Sequence, residues 1–584
     1  MANMTRGGEI ICDSKPSITY VDGQYLRINR SVIDLFYEGD FKYCTYQTIF
    51  RGPKNSDFSF SYSGLSEPFN RDVLVQPKDE FMRIYCYSRS DGRLSTNFHA
   101  FVTKKAEVER KCSKKLNKHK KKNRPKEIFN VQMIGIDSVS RLNFMRQMQQ
   151  TRHFLLNDLH AFEMSGYNKV EDNTFVNIVP MTVGKFVSEI GWNETMSKQE
   201  FDIYDFIWKN FSDAGYRTLY AEDAPKIAIF VYGKEGFHTP PADYYNRPLS
   251  LAMEIHRSVW NNDHHCIVDR LETKMLLDHV KDFSRTFKKK PHFGFTFITR
   301  LTHDDVGLIN SADYAYVEFL KKYRSEGLLN NTVLILYSDH GYRFGDTRDT
   351  YVGKVEERLP FMFLVFPEWF HRKYPKLAQN LQTNTKRLTT PFDVYETLKD
   401  ILRFDGVSKP ASLSNRGISL LREIPKERNC HHAGIQPHWC LCLEQKEVPS
   451  KSAMSVKVAK FLVAQINDVI SSSFHLCARL SLVKVSLVVR MKSNEKILRF
   501  ENSFNDVLNK TVVYGDRTNA PVIYQVTLTT DPGHAQFEAT MIFDPDRDEL
   551  KLAGQISRIN AYGGQSNCVE NSLLKKFCYC LSNK

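Results

Sequence analysis

The apolar positions of this 584-residue chain fall into short, dense runs separated by longer mixed stretches. Runs rich in β-branched and aliphatic residues at 128–136, 217–221, 293–298, 333–337 and 361–366 predict buried strands. Helix-length segments lie between them. Ala312 to Ser325 spaces its apolar and aromatic residues for an amphipathic helix. Pro391 to Leu402 predicts another, with Asp393 as a carboxylate in its first turn. Such alternation argues for an α/β core: three α/β/α layers with a mostly parallel sheet, spanning 128–445. Residues 1–103 are rich in Tyr, Phe, Ser and Gly, with short alternating runs such as Phe81 to Tyr87, and predict a small β-rich N-terminal domain. Residues 104–127 predict a lysine-rich, flexible linker. Residues 446–584 predict an α+β accessory domain with a Cys-containing tail: a helix near Val458–Ile470, then strands at 482–491, 522–528 and 536–543.

The ends of the predicted strands carry the chemistry. The first run ends at Asp137, followed by Ser138-Val139-Ser140-Arg141. The run at 293–298 leads to His303 and Asp304, and the run at 333–337 to Asp339 and His340. Singly, each is an ordinary turn or capping residue. Together, they place oxygen and nitrogen donors where open α/β sheets bind ligands, beyond the carboxyl ends of the strands. A carboxylate at the end of a buried strand needs a compensating charge, which a metal supplies. Asp and His together suit zinc, with calcium and manganese as alternatives. Between the first two clusters, Thr174 is the nucleophile candidate. Its hydroxyl is a poor nucleophile in water but a competent one when activated by a cation. It is equally a candidate helix N-cap.

Three motifs carry a resemblance: Gly135 to Arg141, Asp172-Asn173-Thr174-Phe175-Val176-Asn177, and Ser338-Asp339-His340-Gly341-Tyr342-Arg343-Phe344-Gly345. Together they resemble the alkaline phosphatase-like superfamily and, within it, the DUF229 family of sulfatase-like proteins. Glu356 to Phe361 and the Cys430 to Cys442 stretch fit as well. The resemblance implies an alkaline phosphatase-like core with Asp137, Asp339 and His340 as ligands of one metal and Thr174 as the nucleophile. It implies a second metal held by His303 and Asp304, with His438 or His432 as the distal ligand. The spacing departs from the usual pattern there. Val176 stands where the pattern has proline and implies a less rigid loop.

The implied reaction is in-line displacement at a phosphate ester or, less favoured, a sulfate ester, with a substrate linked to a glycan or lipid. Arg141 or Lys185 would neutralise the non-bridging oxygens, each weighed against ordinary surface charge. No Cys/Ser-x-Pro-x-Arg pattern is present: Ser66 to Arg71 is one residue too long, which disfavours a sulfatase of that kind. The competing reading is an inactive extracellular protein that uses the fold to bind a glycan or a protein.

Composition adds compartment and partners. A 42% hydrophobic content fits a folded chain. The net charge of +14 owes much to the lysine run, which suits an anionic surface. No zinc-finger, RNA-recognition or helix-turn-helix signature supports a nucleic-acid partner. The twelve cysteines lie mostly outside the core and suit disulfides in an extracellular or lumenal setting. A zinc knuckle built from Cys430, His431, His432, His438, Cys440 and Cys442 is the rival. Sequons at Asn3, Asn29, Asn193, Asn210, Asn330 and Asn509 point the same way as the disulfides. The start, Met1 to Glu9, lacks a signal-peptide apolar region, and this reads as a truncated N-terminus.

Overall fold

A computed structural model describes residues 9–52, 56–345, 348, 350–492 and 521–581; the sequons at Asn3 and Asn509 lie outside them. At its centre is a seven-stranded sheet. In chain order its strands are β1 (Asn130–Ile136), β2 (Phe162–Glu163), β3 (Arg217–Glu222), β4 (Tyr244–Tyr245), β5 (His292–Ile298), β6 (Thr332–Tyr337) and β7 (Met362–Val365). The spatial order is β4-β3-β5-β1-β6-β7-β2. The strands from β4 to β6 run parallel, whereas β7 is antiparallel to β6 and β2 antiparallel to β7. All five strand runs read from the sequence are present, and the sheet is mostly parallel.

Side chains alternate across a strand, so each strand feeds two cores. Val131, Met133, Phe295, Phe297, Val333 and Ile335 face one side. There they meet α2 (Thr174–Val183) and α6 (Pro391–Leu402). Ile134, Ile136, Leu219, Leu334 and Leu336 face the other side, against α3 (Glu272–Thr286) and α4 (Asp313–Ser325). This is the three-layer α/β/α core. Gly135 lets aromatic rings close over the sheet: a Cβ there would lie 2.3 Å from Phe297 Cδ2 and 2.8 Å from Tyr337 Cζ. Asp393 caps α6 with Thr390 and also accepts from Arg428 at 2.7 and 2.8 Å.

The N-terminal region is β-rich, with one antiparallel sheet of four strands and one of three. It shares a core with the central domain: Ile49, Phe81 and Phe98 pack against Leu249, Ala252 and Met253. A Cys12–Cys266 disulfide fastens the two together.

The expected flexible linker is instead an 18-residue helix, α1 (Ala106–Asn123). Lysine repulsion disfavours such a helix, and tertiary contacts outweigh it. Cys112 and His119 are buried on its inner face. The helix backbone lies so close to Gly215 (φ +88°) that a Cβ there would sit 2.3 Å from the Leu116 nitrogen. Arg217 donates twice to Glu109, at 2.8 and 2.7 Å, and Lys115 pairs with Asp213 at 2.8 Å.

At the C-terminal end, α7 (Ala453–Ile470) covers an antiparallel sheet of β8 (Glu444–Val448), β9 (Ser481–Lys492), β10 (Val522–Asp531), β11 (Ala535–Asp544) and β12 (Glu549–Leu552). The disulfides Cys477–Cys578 and Cys568–Cys580 close the tail, Cys44–Cys86 links two N-terminal strands, and Cys430–Cys440 joins neighbouring loops. Two of the knuckle's sulfurs are thereby committed to each other, which removes the zinc-knuckle alternative. Cys112 and Cys442 are free.

The C-terminal sheet docks on the core through buried charge. Glu538 of β11 accepts from Arg348 at 2.9 Å and from Arg358 at 2.8 Å, and pairs with Lys354 at 3.0 Å. Lys354 and Arg358 lie on α5 (Tyr351–Arg358). Burial alone would raise the Glu538 pKa, but Arg348, Lys354 and Arg358 hold it well below the usual carboxylate range. Removing one partner of such a cluster strands the others. Glu538→Ala is therefore expected to destabilise the protein by about 3–5 kcal/mol, read as a lowered melting temperature and earlier urea unfolding of the full chain. A change below about 1 kcal/mol would show that the network does not hold the domain.

Candidate active site

Adjacent parallel strands β1 and β6 end side by side, with Gly135 opposite Tyr337. The residues that follow, Asp137 and Asp339, therefore emerge next to each other and are almost fully buried. Ser138 takes φ +63°, a left-handed conformation costly for a side-chain-bearing residue. The turn lets its N–H donate to Asp339 Oδ1 at 3.2 Å and its hydroxyl donate to Asp137 Oδ1 at 2.9 Å. Glycine follows His340 because a Cβ at position 341 would lie 2.1 Å from the Glu356 carbonyl oxygen. Gly341 N–H instead donates to Glu357 O at 3.0 Å, locking the Asp-His turn onto α5.

The donor atoms of Asp137, Asp339 and His340 all lie within 4.8 Å of one another. His340 Nε2 is 3.2 Å from Asp339 Oδ2 and 3.8 Å from Asp137 Oδ1. Burial pushes the imidazole down to about 4, so it is neutral at neutral pH and the contacts are not ion pairs. Nδ1 lies 2.9 Å from Gly341 O and donates to it in the neutral ring, which turns the Nε2 lone pair toward the carboxylates. Burial, reinforced by Asp339, raises Asp137 to about 7. Asp339 Oδ2 is buried without a hydrogen-bond partner. Two crowded carboxylates, one orphaned oxygen and an inward lone pair fit a divalent cation, and oxygen with nitrogen donors suits zinc or manganese.

Thr174 Oγ1 lies 3.4 Å from Asp137 Oδ1 and 3.3 Å from His340 Nε2. It is the first residue of α2, and the N-cap is Asn173, whose Oδ1 accepts from Val176 N. The capping alternative for Thr174 is thus taken by its neighbour, and the hydroxyl is left to face the cluster. Val176 belongs to the first helical turn rather than to a loop, and its N–H completes the cap, a bond that proline cannot make. Asn177, fully buried, stitches the approach: its Oδ1 accepts from Val170 and Glu171, and its Nδ2 donates to the carbonyls of Glu171 and Asn173.

Cations surround the loop before Thr174. Asp172 is held against its burial by Lys576, Arg343 and Lys169, which keep it well below the usual carboxylate range. Lys576 donates to Asp172 Oδ2 at 2.9 Å, and Arg343 approaches the same oxygen at 3.6 Å. Lys169 donates to Asp172 O at 2.9 Å and pairs with Glu357. Arg343 stands three residues after His340, inside a motif legible in the sequence. Lys576 lies on α8 (Ser572–Phe577), 404 residues beyond Asp172, and nothing in the sequence flags it.

Other predicted site residues lie elsewhere. Of the expected second pair, His303 Nδ1 bonds Asp304 Oδ1 at 2.8 Å, and the Asp304 side chain is 97% exposed. Thr302 Oγ1 donates to Asp137 O at 2.6 Å, which ties this turn to the end of β1. The His303 charge still bears on Asp137, but neither residue joins the three-donor group among the described residues. His438 is fully buried under the C-terminal sheet, with its ring nitrogens 3.0 Å from the hydroxyls of Thr540 and Ser557. Both nitrogens are engaged there, and His438 does not join the Asp137–Asp339–His340 group among the described residues. His432 sits in the 429–432 turn beside the Asn429 amide. Arg141 is committed to Glu163 at 2.8 Å, a carboxylate it shares with Arg152. Lys185 is exposed beyond the far end of α2.

The family model described as "Protein of unknown function (DUF229)" matches residues 19–486. Comparison with curated proteins gives no match. Among solved structures the chain is similar to the lipoteichoic acid synthase LtaP from Listeria monocytogenes (13% identity, TM-score 0.31, 44% of this chain and 71% of that one). It is also similar to a protein in the alkaline phosphatase superfamily from Vibrio parahaemolyticus (10%, 0.36, 76% and 91%) and to murine ectonucleotide pyrophosphatase/phosphodiesterase 5 (12%, 0.29, 49% and 97%).

The donor set makes one expectation directly measurable. Purified protein should hold or take up a divalent metal by elemental mass spectrometry, and Asp339→Ala should lose it, whereas Lys576→Met should retain it. Equal metal content in wild type and Asp339→Ala would dismiss the cluster as a metal site.

Proposed function

The chain belongs to the DUF229 family, and from that premise and the geometry above we propose that it is a metal-dependent hydrolase or transferase of phosphate esters, with sulfate esters less favoured. The observation that carries the reading is Thr174: a hydroxyl at a helix start, 3.3–3.4 Å from two donors of a buried Asp-Asp-His group. Asp137, Asp339 and His340 would hold the cation. When bound, it would supply Lewis acidity and positive charge at the reacting oxygens.

The residues divide the remaining work. Asn173 and Asn177 fix the Thr174 backbone, so the hydroxyl meets the ester in one orientation. Free N–H groups at the start of α2 favour a bound anion. Arg343 offers a guanidinium fork for the non-bridging oxygens, and Lys169 and Lys576 keep the loop electropositive around Asp172. Thr174 Oγ forms a bond to phosphorus as the ester P–O bond breaks, and its proton leaves to solvent. The departing alkoxide is protonated by water. Water, or an acceptor hydroxyl in a transferase, then cleaves the threonyl phosphate. Five disulfides suit a secreted or lumenal setting. Among the described residues, no helix is long and apolar enough to cross a membrane.

The second reading, an inactive binding protein, draws on the His303–Asp304 pair and the buried His438 standing apart from Asp137, Asp339 and His340, which among the described residues form the one three-donor group without a disulfide-bonded cysteine. Hydrolysis separates the two. The metal-loaded chain is expected to cleave p-nitrophenyl phosphate or bis-p-nitrophenyl phosphate faster than the sulfate analogue. Thr174→Ala should lower turnover roughly 10³-fold or more while retaining metal. Intact-mass spectrometry of acid-quenched wild type should show a phosphoryl adduct that Thr174→Ala lacks. Metal uptake with no hydrolysis of either ester class would favour the inactive reading, and full activity in Thr174→Ala would remove Thr174 as nucleophile.

A further inference from the structure

Helix α1 has a face that the catalytic reading does not use. Between residues 104 and 126 the chain carries twelve Lys and Arg against two Glu. Both acids sit in the first turn. The inner face is fixed to the core: Cys112 and His119 are buried, His119 Nε2 lies 3.2 Å from Leu402 O, and Arg217 grips Glu109. Lys111 and Lys115, at the helix flank, are paired with Asp243 and Asp213.

The outer face is different. Lys114, Lys118, Lys121 and Lys122 recur at helical spacing and line one shallow open groove with Asn117. All four lysines are exposed. Among the described residues none of them has an acidic partner, nor does Lys120 beside them. The stripe runs about 12 Å from Lys114 to Lys122 at 1.5 Å per residue. A helix that concentrates like charge on one side pays for it with repulsion. Here the cost is met by anchoring the other side, so the lysines are held in place rather than dispersed as on a flexible linker.

We infer that this lysine face of α1 docks a sulfated polysaccharide chain. The occupant follows from charge and from what the face lacks. A row of fixed ammonium groups complements a polymer carrying repeated strong-acid groups, and binding gains from release of that polymer's counterions. Lipid surfaces are met by helices that set apolar side chains beside the basic ones, and the outer face between 113 and 122 offers Ser, Asn and Lys only. Single-stranded nucleic acids are held by aromatic stacking platforms, and α1 contains no aromatic ring except the buried His119. Five disulfides suit an oxidising compartment, where the polyanions at hand are sulfated glycans rather than nucleic acids. This surface is independent of the reaction proposed for Thr174.

The test is retention of the purified full chain on immobilised heparin. Lys114, Lys118, Lys121 and Lys122 would be reversed together to Glu, and a control would reverse the exposed Lys78, Lys198, Lys460 and Lys484. Both variants change net charge equally. The α1 variant is expected to elute at least about 0.2 M NaCl earlier than wild type, and the control close to wild type. Equal shifts in both variants, or no retention of wild type at physiological salt, would overturn the proposal. So would binding of wild type to phosphatidylserine vesicles or duplex DNA as tight as to heparin. Should the α1 variant fail to fold by circular dichroism, lysine acetylation of wild type read by mass spectrometry decides. Heparin should protect Lys114, Lys118, Lys121 and Lys122 while leaving Lys78 and Lys460 reactive. Uniform protection, or none, would sink the assignment.

Discussion

A charge cannot be buried alone, and the interior between the core and the C-terminal sheet is built around that constraint. Lys169 pairs with Glu357, Glu357 meets Arg358 and Arg348, both arginines reach Glu538, and Lys354 closes the other side. Lys169 also sits 4.0 Å from the centre of the Trp439 ring, and Arg358 donates to His438 O. Each member is satisfied only while the others stay in place. The network ties three remote parts of the chain, the loop before Thr174, α5 and β11, into one packing unit.

The same network sets the electrostatics of the site. Lys169, Arg343, Arg348, Lys354, Arg358 and Lys576 form their ion pairs with three carboxylates, Asp172, Glu357 and Glu538. Cations therefore exceed anions behind the loop that presents Thr174. In front of it the balance reverses, with Asp137 and Asp339 crowded against a neutral His340. A cation in front and an anionic group above the helix start would neutralise both imbalances at once. The strained Ser138 turn holds the two acids in this crowded state, as strained backbones do at functional sites.

The family match ends at residue 486, but the site does not. Glu538 and Lys576 lie beyond it: Lys576 donates to Asp172 directly, and Glu538 holds Arg358, which with Lys169 flanks Glu357. The C-terminal sheet is thus part of what shapes the Thr174 approach. The α+β composition of 446–584 was visible in its strand patterning, yet that patterning could not show which of its polar residues would turn inward.

What the sequence determined by itself was the set of elements that depend on local pattern. The parallel strands were legible because residues buried on both faces must be continuously apolar. Asp137, Thr174, Asp339 and His340 were legible because each follows such a strand or opens a helix within a recognisable motif. Tertiary structure decided what depends on partners distant along the chain. A lysine run becomes an ordered helix because Cys112, His119 and Glu109 find the core. His438 becomes a structural residue because Thr540 and Ser557 occupy both its nitrogens. Asp304 ends up exposed and bonded to His303 rather than gathered with Asp137 and Asp339. Lys576 reaches Asp172 across 404 residues. Periodicity records which face of an element is buried, but not what it is buried against, and the role of a charged side chain is set by that neighbour.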